Sequence, residues 1–316
     1  MHALLGERLD ALYRRYGPET VATDPIVFVG RYSDPEDREV VGWIASAFAY
    51  GQVPVIQANV GRLLAAIGPR PARALDGVRS FRELASDTLA GFRHRFHGPR
   101  DAAALLFAIA RAREAGGGRL RSFFESAQRP EDRDTGPLLS RAVARIEDFD
   151  YRPVLGVRRL PERSPARFFF PSPASGSACK RWNLYLRWMV RSDDLDFGLW
   201  SGIPASRLVV PTDTHVHRIA RRLGLTRRRT ADWKAARQIT DALARFDPSD
   251  PVRFDYALCR IGILDICVPA TRLCRCPECP VQEACAVGRR RRAAGIAAGL
   301  AAGSTTEPAP ALGLSA

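Results

Sequence analysis

The chain has 316 residues, 46% of them apolar, enough to fill the core of one large domain or of two lobes. No run of ~20 uncharged apolar residues occurs, and Met1 to Arg15 alternates charged and apolar residues, so neither a membrane span nor a signal peptide is expected and the protein reads as soluble and cytoplasmic. A formal charge of +14 and a pI near 10.2 point to a polyanion as partner, nucleic acid being the commonest, or to an arginine-rich composition set by a GC-rich genome.

Helical periodicity runs through most of the sequence. Val40, Val41, Ile44, Ala45 and Phe48 recur at helical spacing up to Gly51, and Pro54 restarts a helix through Ile56, Val60, Leu63, Leu64 and Ile67 that Gly68-Pro69 stops. Asp101 is expected to cap a third helix carrying Leu105, Leu106 and Ile109, which Gly116-Gly117-Gly118 breaks. Pro137 to Phe149 predicts another. No period-two strand pattern is found, so the fold class is all-α. Asp150 to Ser175 is a Pro/Arg/Phe-rich connector. Its Phe168-Phe169-Phe170 either wedges into a base stack beside Arg167 or plugs the connector onto the core.

The segment Gly176 to Leu186 predicts the start of an amphipathic helix. Ala178, Trp182, Tyr185, Leu186 and Met189 form its apolar face, and Lys180, Asn183, Arg187 and Arg191 its polar one. Of the 48 basic residues only Lys180 and Lys234 are lysines, so Lys180 is a candidate for chemistry that arginine cannot perform. A helix N-terminus and a cationic stripe would both disfavour an ammonium there; the plainer alternative is a lysine that touches phosphate. Lys234, between Ala231 and Phe246, reads as an exposed helix residue. Asp213 precedes a helix with Val216, Ile219, Ala220 and Leu223 inward and Gly224 at its end, which makes it an N-cap worth ~1 kcal/mol.

Seven cysteines occur, and five of them, Cys267, Cys274, Cys276, Cys279 and Cys285, fall within nineteen residues at the end of a helix expected over 250–266. In a reducing compartment such crowding predicts a metal site, either four-cysteine zinc or an iron–sulfur cluster. Cys179 and Cys259 read as buried thiols. After Gly288, four arginines lead into an Ala/Gly/Ser/Pro tail expected to be disordered, the arginines adding non-specific phosphate contacts.

These segments resemble the endonuclease III-like, helix-hairpin-helix DNA glycosylases. That family's pattern Gly-x-Gly-x-Lys-x-x-Asn-x-x-Leu aligns with Gly176 to Leu186 without gaps, with Ala178 in place of the second glycine. Its Asp-Thr-His-x-x-Arg aligns with Asp213-Thr214-His215 and Arg218. The resemblance implies a two-lobed helix-hairpin-helix fold over residues 1–288, with 289–316 as the Arg run and tail. It makes Lys180 the Schiff-base nucleophile and Asp213 the carboxylate that stabilises charge at the sugar C1′. Thirty-three positions separate the two, and the excess over the family's spacing, Ser192 to Leu208, reads as an inserted loop. Gly176, Ser177, Ala178, Arg187, Arg191 and Arg218 would meet the DNA backbone. Tyr50 or Gln52, after Ser46 to Ala49, would insert a wedge or line the base pocket, or else form a turn between two core helices. The last three cysteines keep the family's cluster spacing, which implies a [4Fe–4S] cofactor on Cys267, Cys276, Cys279 and Cys285. Cys274 is a rival to Cys276, because Cys267-x6-Cys274 matches the first spacing.

The chain also resembles a bacterial family of unknown function in that superfamily. The expected activity is base excision from duplex DNA by a monomer, with or without strand cleavage. The rivals are a non-catalytic DNA binder of the same fold and a metal-stabilised protein that binds a protein partner.

Overall fold

The computed structural model describes residues 2–303. Ten helices of nine or more residues are found among them: α1 (His2–Arg15), α2 (Pro35–Ala47), α3 (Val53–Ile67), α4 (Pro99–Ala115), α5 (Thr135–Glu147), α6 (Lys180–Val190), α7 (Thr214–Leu223), α8 (Trp233–Leu243), α9 (Asp255–Ile263) and α10 (Ala286–Gly303). Among the described residues there is no β-strand, only the isolated bridges His94–His97, Ser177–Asp232 and Ser192–Phe197. The all-α expectation holds, and among the described residues no helix is long and apolar enough to cross a membrane.

Helix α2 forms where its sequence provides both ends. Asp34 accepts from the amides of Glu36 and Asp37, Pro35 presets the first turn, and the helix buries ten of its thirteen residues. It lies against α6, with Trp43 5.0 Å from Trp182 between ring centroids and an edge-on Phe124 at 5.5 Å. Glu39 is fully buried in this seam and accepts from the Leu120 amide at 2.8 Å and from Trp200 Nε1 at 3.0 Å. Trp200 belongs to the segment read as an inserted loop. It stacks on Phe124 at 5.4 Å, so that segment is built into the core.

Several boundaries differ from the sequence reading. Helix α4 is capped at Gly98 because Pro99 fixes its first turn, and Asp101 reaches back to accept from the Gly98 amide at 2.9 Å. Helix α6 begins at Lys180 rather than Gly176. Residues 173–175 form a short 3-10 turn, Gly176 ends it at φ +81°, and Cys179 enters α6 at φ +48°. In the connector, Phe169 and Phe170 plug the core while Phe168 stays 40% exposed.

The segment 289–303, expected to be disordered, lies in α10, in keeping with its alanine-rich sequence. Arg291 in that helix bonds the carbonyls of Thr271 and Cys274, Arg289 bonds those of Glu283 and Ala284, and Arg292 pairs with Glu283. These three arginines are exposed and bond to the cysteine loop. Residues 304–316 of the expected tail lie outside the described residues.

Candidate active site and cysteine loop

Residues 23–25, the turn Ala49-Tyr50-Gly51 after α2, the first turn of α3, α6, the approach to α7, Ala231 and α9 converge on one cavity of about 450 Å³. The sequence brings them together by local means. Asp213 caps α7 through Oδ1, which accepts from the His215 amide at 2.8 Å and the Val216 amide at 2.9 Å. A side chain at Gly262 would place its Cβ 2.5 Å from His215 Nδ1, so a glycine there lets α9 lie against the first turn of α7. Asp213 Oδ2 is thereby left toward the thiol of Cys259 on α9, at 3.9 Å. Lys180 lines the same cavity, and its Nζ donates to the Ala49 carbonyl at 2.9 Å. The two residues that the family motifs single out therefore meet in one cavity despite their sequence separation.

The polar face of α6 is not the cationic stripe that the spacing suggested. Arg187 is 2% exposed and bonds Asp255 at 2.6 Å and Asp196 at 3.2 Å. Arg191 is 5% exposed and pairs with Asp193 at 2.9 Å, with Asp250 at 2.8 Å and with Asp196. Two guanidiniums thus face four carboxylates inside the protein. Neither arginine offers its charge to a phosphate, which corrects their assignment to the DNA backbone. Burial of this kind is tolerated only with partners, and Asp193, Asp196, Asp250 and Asp255 supply them.

Arg218 is likewise committed, donating to the Cys267 carbonyl at 2.7 Å and to His215 Nδ1. At the hairpin, Gly176 is exposed, Ser177 half-buried and Ala178 buried. The Gly176 carbonyl accepts from the Trp233 amide at 2.9 Å, which ties the hairpin to the start of α8. Gln52 is exposed at the start of α3 and does not line the cavity; Tyr50 does.

Sequence reasoning missed Asp255, Cys259 and Asp24, which also line the cavity. Asp255, Cys259 and Ile263 recur one turn apart on α9, a signal easily read as an ordinary inward face. Burial pushes the Asp255 carboxyl up to about 6; the nearby Asp213 adds to this, while Arg187 and Lys180 oppose it. Burial first, then Asp213 and Asp255, pushes the Cys259 thiol well up, so it is held as a thiol.

Tyr50, which lines the cavity, also belongs to an aromatic rim of His94, Phe96, His97 and Phe168 that the sequence did not reveal. His94 and His97 bond each other's backbones at 3.0 Å, and His94 Nε2 donates to the Tyr50 carbonyl. His97 Nε2 donates to the Pro165 carbonyl at 2.9 Å, leaving Nδ1 to accept from the Tyr50 hydroxyl. Burial lowers the pKa of both imidazoles. The two histidines pin a short loop that holds Arg93, Arg95 and Phe96 outward, with Arg95 at φ +56°. Phe96 is 52% exposed and lies 5.1 Å from Phe168, which in turn contacts Tyr50 at 4.9 Å. The Arg181 guanidinium sits 3.9 Å over the Phe168 ring and donates to backbone carbonyls; among the described residues no carboxylate pairs with it.

All five crowded cysteines line a second, small pocket, walled by Arg222 and Gln282, and none is in a disulfide. Arg222 donates to Cys267 Sγ at 2.8 Å and Cys274 Sγ at 3.2 Å. Among the described residues no three His, Cys, Asp or Glu side chains surround one ion position. The donor set, five thiols on a single loop, is of the chemical kind that takes an iron–sulfur cluster or zinc. The geometry does not choose between Cys274 and Cys276, since both face the pocket. Cys179 is buried and its thiol is pushed up to about 12, mainly by burial, as expected for an inert core cysteine.

Residues 24–264, three-quarters of the chain, match the family model described as "Protein of unknown function (DUF2400)". The chain belongs to this family. No curated protein matches it. The family span begins at Asp24 and ends one residue after Ile263, so it contains the cavity from Asp24 to Ile263, with Lys180, Asp213 and Asp255. The five-cysteine loop lies beyond it, C-terminal to residue 264.

Proposed function

We propose that this protein is a lysine-dependent DNA glycosylase of the helix-hairpin-helix type. The observation that carries the reading is the convergence of Lys180 and Asp213 Oδ2 on one cavity of about 450 Å³, a volume in the range of small-molecule sites. An enzyme that works on a base or its sugar must take the nucleotide out of the duplex, and such a cavity can receive it. Lys180 would supply the lone pair that attacks C1′, and Asp213 the negative charge that faces the sugar as positive charge develops. The exposed rings of Phe96 and Phe168, with Arg93, Arg95 and Arg181 near them, would provide stacking surface and positive charge beside Tyr50.

Cys267, Cys276, Cys279 and Cys285 would hold a [4Fe–4S] cluster, with Cys274 as the competing ligand. The cluster would fix the loop that Arg218, Arg222 and Arg291 already clamp to α7 and α10. The protein would act as a cytoplasmic monomer on duplex DNA.

A panel of duplexes, each bearing one modified base, tests this reading with anaerobically purified full-length protein. Release of a base from one or more of them is expected. Salt-dependent binding with no release on any would replace the reading by a non-catalytic DNA binder. Absence of salt-dependent binding would favour a metal-stabilised protein with a protein partner.

A further inference from the structure

Asp255 opens α9, with Cys259 and Ile263 one and two turns along the same face, and all three line the Lys180 cavity. The residue is 3% exposed. Oδ2 accepts from Arg187 at 2.6 Å, while Oδ1 is buried without any hydrogen-bond partner. A buried carboxylate oxygen left unpaired is costly unless it carries a proton or meets a polar atom of a ligand.

Arg187 compensates only part of this charge, because it is shared with Asp196, which Arg191 also holds. The charged groups that act on Asp255 are Arg187 and Lys180 from α6 and Asp213 from the cap of α7, while Asp24, His215, Tyr256 and Cys259 line the same cavity. Asp213 stands in a different environment, its Oδ1 accepting from two backbone amides. Of the two carboxyl groups in the cavity, Asp255 is the one with a buried oxygen that no donor reaches, and so the one placed to carry a proton.

We infer that Asp255 is the proton donor of the cavity, protonating the group that leaves C1′ when Lys180 attacks. This rests on the glycosylase reading. In the step, the Lys180 lone pair forms the N–C1′ bond, and the bond from C1′ to the base breaks with its electron pair going to the base. The Asp255 proton moves to the base. The new secondary ammonium then returns a proton to Asp255, so the acid is regenerated. The upward shift of the Asp255 carboxyl to about 6, caused by burial, agrees with an acid that is largely protonated in mildly acidic solution.

The test compares full-length wild type, Asp255→Asn and Asp255→Glu by single-turnover base release on the modified-base panel across pH, beside the infrared carboxyl band of the protein alone. As the protonated Asp255 declines, the wild-type rate should level off above about pH 6. Without the acid that levelling is absent, and the Asp255→Asn profile should start from a rate ~100-fold lower at the acid end. Asp255→Glu should restore the levelling.

A uniform fall at every pH, with the levelling intact in Asp255→Asn, would make Asp255 a structural partner of Arg187 and overturn the inference. The protein alone should show a protonated-carboxyl band that titrates near pH 6 and is missing in Asp255→Asn. If it does not, the inference falls whatever the duplexes do. If the band titrates but wild type releases no base from any duplex, the glycosylase reading falls, and Asp255 remains a proton donor toward a different substrate.

Discussion

Asp213 faces Cys259 across the cavity with Oδ2 3.9 Å from the thiol sulfur, while its other oxygen is taken up by the amides of His215 and Val216. One carboxylate thus serves two ends, an N-cap through Oδ1 and a negative charge toward the cavity through Oδ2. The first fixes the position of the second.

That division makes Asp213→Asn informative. Asparagine keeps an acceptor oxygen for the cap, so stability to urea should change by only about a few tenths of a kcal/mol. Base release should nevertheless fall at least ~100-fold, because the charge facing the sugar is gone. A variant that loses stability and keeps its activity would reduce Asp213 to a cap.

Purified protein should be brown and hold roughly four irons per chain when prepared without oxygen. Cys276→Ser, Cys279→Ser and Cys285→Ser should each lose the iron, whereas Cys274→Ser should retain it. Stoichiometric zinc without iron would decide for the tetrahedral alternative. Iron lost in Cys274→Ser and kept in Cys276→Ser would exchange the two ligands.

The sequence carried the helical class and the apolar face of α6 clearly, because Trp182, Tyr185, Leu186 and Met189 repeat at helical spacing and are all buried. It also carried Lys180 and Asp213, since each stands in a local motif that needs no partner to be recognised. What it could not carry was the company those residues keep. Arg187 and Arg191 look like a cationic stripe until Asp193 and Asp196 from the inserted segment, and Asp250 and Asp255 from the approach to α9, fold onto them. The acidic run Asp193-Asp194-Leu195-Asp196, one residue after Arg191, was the available hint of local pairing. The rim was hidden for a similar reason: Phe96 and Phe168 are seventy-two positions apart and become neighbours only through the histidine-pinned loop.

The buried network predicts a sharp contrast among arginines. Arg187→Ala leaves Asp196 and Asp255 partly uncompensated in the interior and should cost roughly 3–5 kcal/mol in urea unfolding. Arg95→Ala, on an exposed loop, should cost less than about 0.5 kcal/mol yet lower the salt dependence of DNA binding by about one phosphate. The reverse pattern would return Arg187 to the DNA interface.

Asp255 also ties stability to pH. Its carboxyl is raised in the folded protein from an ordinary 3.8 to about 6, so between those values the folded state binds more protons than the unfolded one. The stabilisation is fully present below about pH 3.8 and is lost as pH rises through about 6. At ~1.36 kcal/mol per unit this amounts to about 3 kcal/mol. Urea unfolding of wild type minus that of Asp255→Asn should therefore decline by roughly that amount between pH 4 and pH 7. A difference that is flat with pH would mean that Asp255 is ionised throughout.

The decisive prediction concerns the amine. Lys180 Nζ, bonded to the Ala49 carbonyl at 2.9 Å, is the one lysine in the cavity, and Lys234 on α8 does not line it. A lysine amine that attacks C1′ passes through an imine with the opened sugar, which borohydride reduces to a stable protein–DNA adduct. Such an adduct is expected on abasic or damaged duplex, abolished in Lys180→Gln and unchanged in Lys234→Gln. Lys180→Arg should fail as well, although it keeps the positive charge, because a guanidinium has no available lone pair. If Lys180 only touches phosphate, the arginine variant should bind DNA as well or better and any base release should persist. Full activity in Lys180→Arg would remove the nucleophile from the mechanism and leave Asp213 to activate water, or leave the protein a binder without chemistry.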